Sequence, residues 1–181
     1  MIATANRFAQ RLDAASGAIL GTLGRFLFAA ILLVYFWNSG LTKLGESILS
    51  PSLGAYAQIF PRQMEAVGFD VTQLGTFHYL VVMAGTYAEF ILPILIVIGL
   101  LTRLAALGMI GFVLVQSLTD LFGHGGLSDP ATLGGWFDGM PDGVILDQRA
   151  LWVFLLLTLV LKGAGPLSLD RLLFARDTPQ A

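Results

Sequence analysis

The sequence predicts an all-α membrane protein, a four-transmembrane-helix bundle with short helices in its first outer segment. Three observations carry that expectation. Of 181 residues, 56% are hydrophobic and only 12% charged, about half the charged share of an average soluble domain. A soluble core of this size has nowhere to hide so much apolar surface, whereas lipid accepts it. Four apolar stretches each approach the ~20 residues that a helix needs to cross a hydrocarbon core about 30 Å thick. Basic residues in the short flanks collect on one side.

The first stretch runs from about Ala18 to Trp37, interrupted only by Arg25. Arg7 and Arg11 would suit the start of a signal peptide, but Tyr35-Phe36-Trp37-Asn38 offers no small-residue cleavage site, so the stretch reads as a retained anchor. Ile2 to Ala15 is weakly amphipathic and is expected to lie along the inner surface. The second stretch, about Tyr79 to Leu100, carries Glu89, and the third, about Leu104 to Phe122, turns polar late at Gln116, Ser117, Thr119 and Asp120. The fourth, about 147–163, has Ala150 to Leu161 as its continuous core. It reaches spanning length when Asp147, Arg149 and Lys162 lie in the headgroups; a re-entrant segment is the alternative. By length the chain suits one domain, residues 1–181.

Between the spans lie outer segments of about 40–77 and 123–146. In the first, Ser50-Pro51-Ser52 precedes Leu53, Tyr56, Ile59, Phe60, Met64 and Val67 at helical spacing. Pro61 breaks or bends that pattern, so one or two short helices are expected on the outer mouth. The second is rich in Gly and Asp, with Trp136 and Phe137 suited to an interface belt. Arg7, Arg11, Arg103, Lys162, Arg171 and Arg176 share one side; Lys43, Arg62 and Arg149 share the other with most of the acids. The first side is therefore expected to be cytoplasmic, with both termini inside.

Charges in an apolar span are costly and usually face the bundle interior in pairs. Arg25 lies about seven residues from the inner end of its span and Glu89 about eleven, so their depths differ by only ~6 Å. An Arg25–Glu89 ion pair is expected. It serves either as a register lock or as a polar cavity with a proton-accepting carboxylate for a quinone headgroup. Pro93 removes the helical partner of the Glu89 carbonyl, which adds a second acceptor at that depth.

At the outer end Gln116, Asp120 and His124 follow at i, i+4 spacing, level with His78, Asn38 and Lys43. His78, Asp120 and His124 are candidate ligands for a divalent metal, and the two histidines for a haem iron. A Lys43–Asp120 structural ion pair is the competing reading. Asp129, Asp138 and Asp142 of the second outer segment, with Asp147 after them, match no EF-hand spacing and read as a solvated acidic loop, with Asp147 as N-cap of the fourth span. The chain has no cysteine, which removes thiol chemistry and thiolate metal ligands. A net charge of −2 gives no basic face for nucleic acid. There is no Walker, nucleophile-elbow or dinucleotide sequence, and Gly163-Ala164-Gly165 before Pro166 is a helix stop.

An ordered set of residues resembles the DoxX family of small membrane proteins. Arg25 is followed by Trp37-Asn38-Ser39-Gly40-Leu41-Thr42-Lys43-Leu44, then Glu89-Phe90-Ile91-Leu92-Pro93 running into Gly99-Leu100-Leu101-Thr102-Arg103-Leu104-Ala105-Ala106. Gly163-Ala164-Gly165-Pro166-Leu167-Ser168-Leu169-Asp170 completes it. The resemblance implies a four-helix protein of a bacterial inner membrane, tied by its name to terminal quinol oxidase or thiosulfate:quinone oxidoreductase systems. It also implies that Arg25, Gly40, Lys43, Glu89, Gly99, Arg103 and Asp170 occupy the family's recurring positions. Lys43, Arg103, Asp147 and Asp170 are expected to be structural, and Arg25, Glu89 and Gln116 to line a cofactor or quinone site. The expected function is a non-catalytic or accessory membrane subunit of a quinone-linked oxidoreductase assembly, with redox centres supplied by partners. The long first outer segment and the acidic loop depart from the simplest members. They point to the alternative, an assembly protein docking a periplasmic partner or metal carrier.

Overall fold

The computed structural model describes residues 2–174 and places the four apolar stretches in four helical rods. The first joins α1 (Ile2–Phe28), a π-helical turn at Ala29–Leu33, and α2 (Val34–Lys43). Two short antiparallel strands follow, β1 (Leu44–Ser47) and β2 (Ser50–Pro51), and then the outer helices α3 (Leu53–Ile59) and α4 (Pro61–Ala66). The second rod is α5 (Thr76–Ile98). The third is α6 (Thr102–Leu118), extended by a π turn at Thr119–Gly123. After α7 (Pro130–Leu133), a π turn at Val144–Arg149 leads into α8 (Ala150–Lys162), and α9 (Leu169–Phe174) ends the described chain. This is a multi-pass all-α membrane protein, and the fourth stretch forms a full-length rod rather than a re-entrant piece.

The rods close a ring in which α8 packs on α1 and α6, and α5 packs on α2 and α6. Lipid tails give apolar helices little reason to associate, so close approach and van der Waals contact must do so. Gly21 lets α1 meet the end of α8, because a Cβ there would come 2.5 Å from the Gly163 carbonyl oxygen. At the bundle centre Phe28, Leu32, Phe36, Ile96, Met109 and Leu156 are fully buried. A second, smaller core of Ala55, Tyr56, Met64 and Val82 seats α3 and α4 against the outer half of α5.

The outer segment forms as its punctuation predicts. Ser52 caps α3 by accepting the Ala55 N–H, and Pro61 opens α4 at a position where its missing N–H costs nothing. The small hairpin was not anticipated; Tyr79 and Tyr87 of α5 pin its tip by donating to the carbonyls of Leu49 and Ile48. The N-terminal expectation is corrected. Ile2 to Ala15 is no separate surface helix but runs without a break into the first rod.

Candidate functional site

Gly40 decides where the first two rods meet. A Cβ there would lie 2.7 Å from the Phe90 ring, so only glycine lets α2 and α5 approach this closely. One turn away, that approach brings Ser39 and Lys43 onto Glu89. The Lys43 Nζ lies 3.0 Å from Glu89 Oε2 and 3.1 Å from Oε1, with side chains 7% and 1% exposed. Ser39 Oγ accepts from Lys43 at 2.7 Å and donates to Glu89 Oε1 at 2.9 Å, closing a three-membered network. Withdrawn from water, each charge is tolerable only because the other is present.

The expected Arg25–Glu89 pair is therefore wrong, and the reason is depth. The first rod begins far before its apolar run, so counting from the edge of that run misplaced Arg25. Its guanidinium reaches the inner end of α5, donating from Nε to the Ile96 carbonyl at 2.9 Å and from Nη2 to Val97. Nη1 donates to the carbonyls of Ala164 and Leu167 beyond α8. The arginine thus supplies four bonds at once, two to the end of α5, where Ile96 also accepts the Gly99 N–H, and two to the loop after α8. Asp170 does the converse for α6, its carboxylate accepting the N–H groups of Leu101 at 2.6 Å and Thr102 at 2.9 Å. Arg25 and Asp170 thus clasp the inner ends of the bundle. Exposed Arg103 lies against Gly163 at the same end.

The expected Lys43–Asp120 pair is also replaced. Asp120 binds Arg149, Nη2 to Oδ2 at 2.6 Å, while Arg149 Nη1 donates to Ser117 Oγ at 3.1 Å. Arg149 is buried at 5% exposure, not extended into the headgroups. Both partners sit in π turns, where an extra residue per turn re-aims side chains in a way that a 3.6-residue period does not foresee. Asp147 is no N-cap of the fourth rod. Its Oδ2 accepts the Gly143 N–H at 2.9 Å and ties the loop to the helix start.

The three proposed metal ligands do not converge. His124 Nε2 bonds the Gln58 carbonyl at 3.0 Å, His78 packs edge-on against Phe60, and Asp120 is taken by Arg149. Among the described residues no three such groups come together.

What does converge is a cavity of ≈ 450 Å³ between α5 and α6, roofed by α3. Lys43, Glu89, Gln116, Asp120 and His124 all line it, as does Ser39. Sequence reading found these residues and expected a polar cavity about Arg25 and Glu89, but not one between α5 and α6, nor the role of Ser39. Of two buried oxygens among the lining residues, Glu89 Oε2 is met by Lys43 Nζ at 3.0 Å, and Gln116 Oε1 accepts no hydrogen bond from the described residues. Small residues in the facing helices, Gly85, Ala88, Gly108 and Gly111 among them, leave the space.

The second outer loop is ordered by its aspartates. The Asp129 carboxylate accepts from the Thr132 hydroxyl and the Ala131 N–H, which holds its pKa below the usual carboxylate range. Trp136 donates to the Leu146 carbonyl at 2.7 Å, while Phe137 and Met140 stand exposed beside it.

Compared with known proteins, the chain matches one family model, DoxX, over residues 20–125. No curated protein and no solved structure matches it. The matched stretch contains Arg25, Ser39, Lys43, Glu89, Gln116 and Asp120, that is, every pocket-lining charge and the arginine of the inner clasp.

Proposed function

The chain belongs to the DoxX family, and from that premise we propose that it is a membrane subunit of a quinone-linked oxidoreductase assembly. The observation that carries this reading is the buried Lys43–Ser39–Glu89 network in the wall of a membrane-depth cavity. A carboxylate beside an ammonium at that depth is a group that can take or return a proton next to a lipid-soluble redox carrier. A quinone is such a carrier, and it would supply the electron chemistry. The chain's own residues would bind its head, keep bulk water out under the α3 roof, and hold a proton at Glu89.

The site proposed from sequence as Arg25/Glu89 becomes Lys43/Glu89, with Arg25 structural. Redox partners would dock on the outer side, where the ordered acidic loop displays Trp136, Phe137 and Met140. The membrane in this reading is a bacterial inner membrane, with both termini cytoplasmic. Arg103, Lys162 and Arg171 lie at one end, whereas Lys43 and Arg149 at the other are absorbed in buried ion pairs. That sharpens the positive-inside bias. Arg176 lies outside the described residues.

The test is Glu89→Gln in the intact native assembly. Quinone-coupled turnover should fall at least about tenfold, the low end for losing one proton-transfer group, while the protein still accumulates in the membrane. Undiminished turnover would contradict the proposal.

A further inference from the structure

A groove of ≈ 420 Å³ lies at the inner end of the bundle, apart from the cavity that Lys43 and Glu89 line. Three cations border it, each from a different element: Arg103 at the start of α6, Lys162 at the end of α8, and Arg171 in α9. All three are exposed, and none forms an ion pair with a carboxylate among the described residues. Lys162 donates only to Ser16 Oγ, at 3.2 Å. The one acid on the groove wall, Asp170, already has both carboxylate oxygens engaged by the N–H groups of Leu101 and Thr102.

Helix electrostatics account for part of this cluster and not for the rest. A cation in the last turn of a helix, as Lys162 is, is favoured by the carbonyl end. Arg103 stands at the opposite kind of terminus, the first turn of α6, where a cation is disfavoured. Its guanidinium lies over Gly163, where a Cβ would come 3.3 Å from Nε, and so faces the side of the groove that Lys162 borders. Like charges gathered round one groove repel unless an anion stands among them.

The same groove has an apolar side. Leu101, Leu104 and Phe174 line it and are exposed. Leu101 holds a left-handed backbone at φ +49°, a conformation that glycine adopts without strain. The turn alone therefore does not call for a leucine, whereas an apolar wall does. Cations beside exposed apolar side chains, at the end of a membrane-spanning bundle, match an amphiphile with a phosphate head. Guanidinium groups suit that head because they meet phosphate oxygens with two parallel donors.

We propose that this groove seats an anionic phospholipid of the two-phosphate class. Its phosphates lie among Arg103, Lys162 and Arg171, and its acyl chains run past Leu101 and Leu104. One phosphodiester carries a single negative charge and would leave three cations undermatched; two phosphates come closer. The site is independent of what the outer cavity holds.

The experiment uses the full chain in dodecylmaltoside micelles, titrated with cardiolipin, phosphatidylglycerol or phosphatidylcholine and read by native mass spectrometry. Cardiolipin should bind at least about tenfold more tightly than phosphatidylcholine, or ~1.4 kcal/mol, with phosphatidylglycerol between them. Arg103→Gln with Arg171→Gln should weaken cardiolipin at least about tenfold, since each basic side chain at a headgroup is worth a factor of about five. Arg7→Gln with Arg11→Gln removes the same charge from exposed positions of α1 that do not line the groove, and should leave cardiolipin binding unchanged. Inorganic pyrophosphate, charged but without tails, should not displace the lipid at equal concentration.

Phosphatidylcholine or phosphatidylglycerol matching cardiolipin overturns the proposal, as does undiminished binding by the groove variant. Equal losses in the α1 variant would mean attraction to net charge rather than a site, and displacement by pyrophosphate would mean a free anion; either result overturns it. One measurement needs no variant. Solid-state NMR of the unaltered protein in bilayers containing cardiolipin should show lipid phosphorus in contact with the Arg103 guanidinium, and absence of that contact contradicts the assignment.

Discussion

Lys43 and Glu89 stabilise each other because neither has water to turn to, and this makes their energetics conditional. Removing one partner of a buried pair costs about 3–5 kcal/mol, much of it from the charge left behind. Lys43→Met and Glu89→Gln should each lower stability on that scale. The double variant should lose less than the sum of the two by at least about 1 kcal/mol. Reversible unfolding in bicelles measures the cycle, and strictly additive losses would mean that the pair carries no coupling. Glu89 was legible, since a carboxylate inside an apolar run announces a buried charge, whereas Lys43 was read as an outer-end residue pairing with Asp120. Their pairing was not. Depth was counted from the edge of the apolar run, whereas the first rod starts at Ile2 and places Arg25 level with Ile96 and Val97. That is about seven residues, or ~11 Å, from Glu89.

Elements meet at the inner end through complementary helix termini. Arg25 donates to the carbonyls that finish α5, and Asp170 accepts the N–H groups that begin α6. Between them Gly99 turns the chain at φ +71°, and a Cβ there would lie 2.7 Å from Arg25 Cζ and 2.6 Å from Ser168 Cβ. Gly99→Ala should therefore cost about 1–3 kcal/mol for the left-handed backbone alone, with the clash added. Gly111→Ala, in open helix, should instead gain up to about 1 kcal/mol. Thermal unfolding of the two variants side by side checks this, and equal shifts would contradict it. Helix stops at Gly163 and starts at Ser52 were readable because capping is local chemistry. The π turns were not, because they depend on what the widened turn must reach. Asp120 and Arg149 find each other only through two of them.

For the whole molecule, hydropathy was enough to place four rods, since spanning length and polar exclusion are strict demands of lipid. The position of the cavity was hidden, because it arises from glycines and alanines on two facing helices and a roof from a third. Neither is visible in any one segment. The proposed orientation is directly testable, as the absence of native cysteine makes single substitutions clean labels. Ser128→Cys should react with an impermeant maleimide in intact cells or spheroplasts, and Ser16→Cys only after lysis. The opposite pattern would invert the topology and move the acidic loop to the cytoplasm.

The claim on which the rest turns is that Glu89 belongs to Lys43 at the cavity wall. Solid-state NMR of the lipid-embedded protein can correlate the lysine side-chain nitrogen with the glutamate carboxyl carbon. A strong Lys43 Nζ–Glu89 Cδ cross-peak, absent in Lys43→Met, is the predicted result. A carboxyl of Glu89 that correlates instead with the guanidinium of Arg25 would contradict the account.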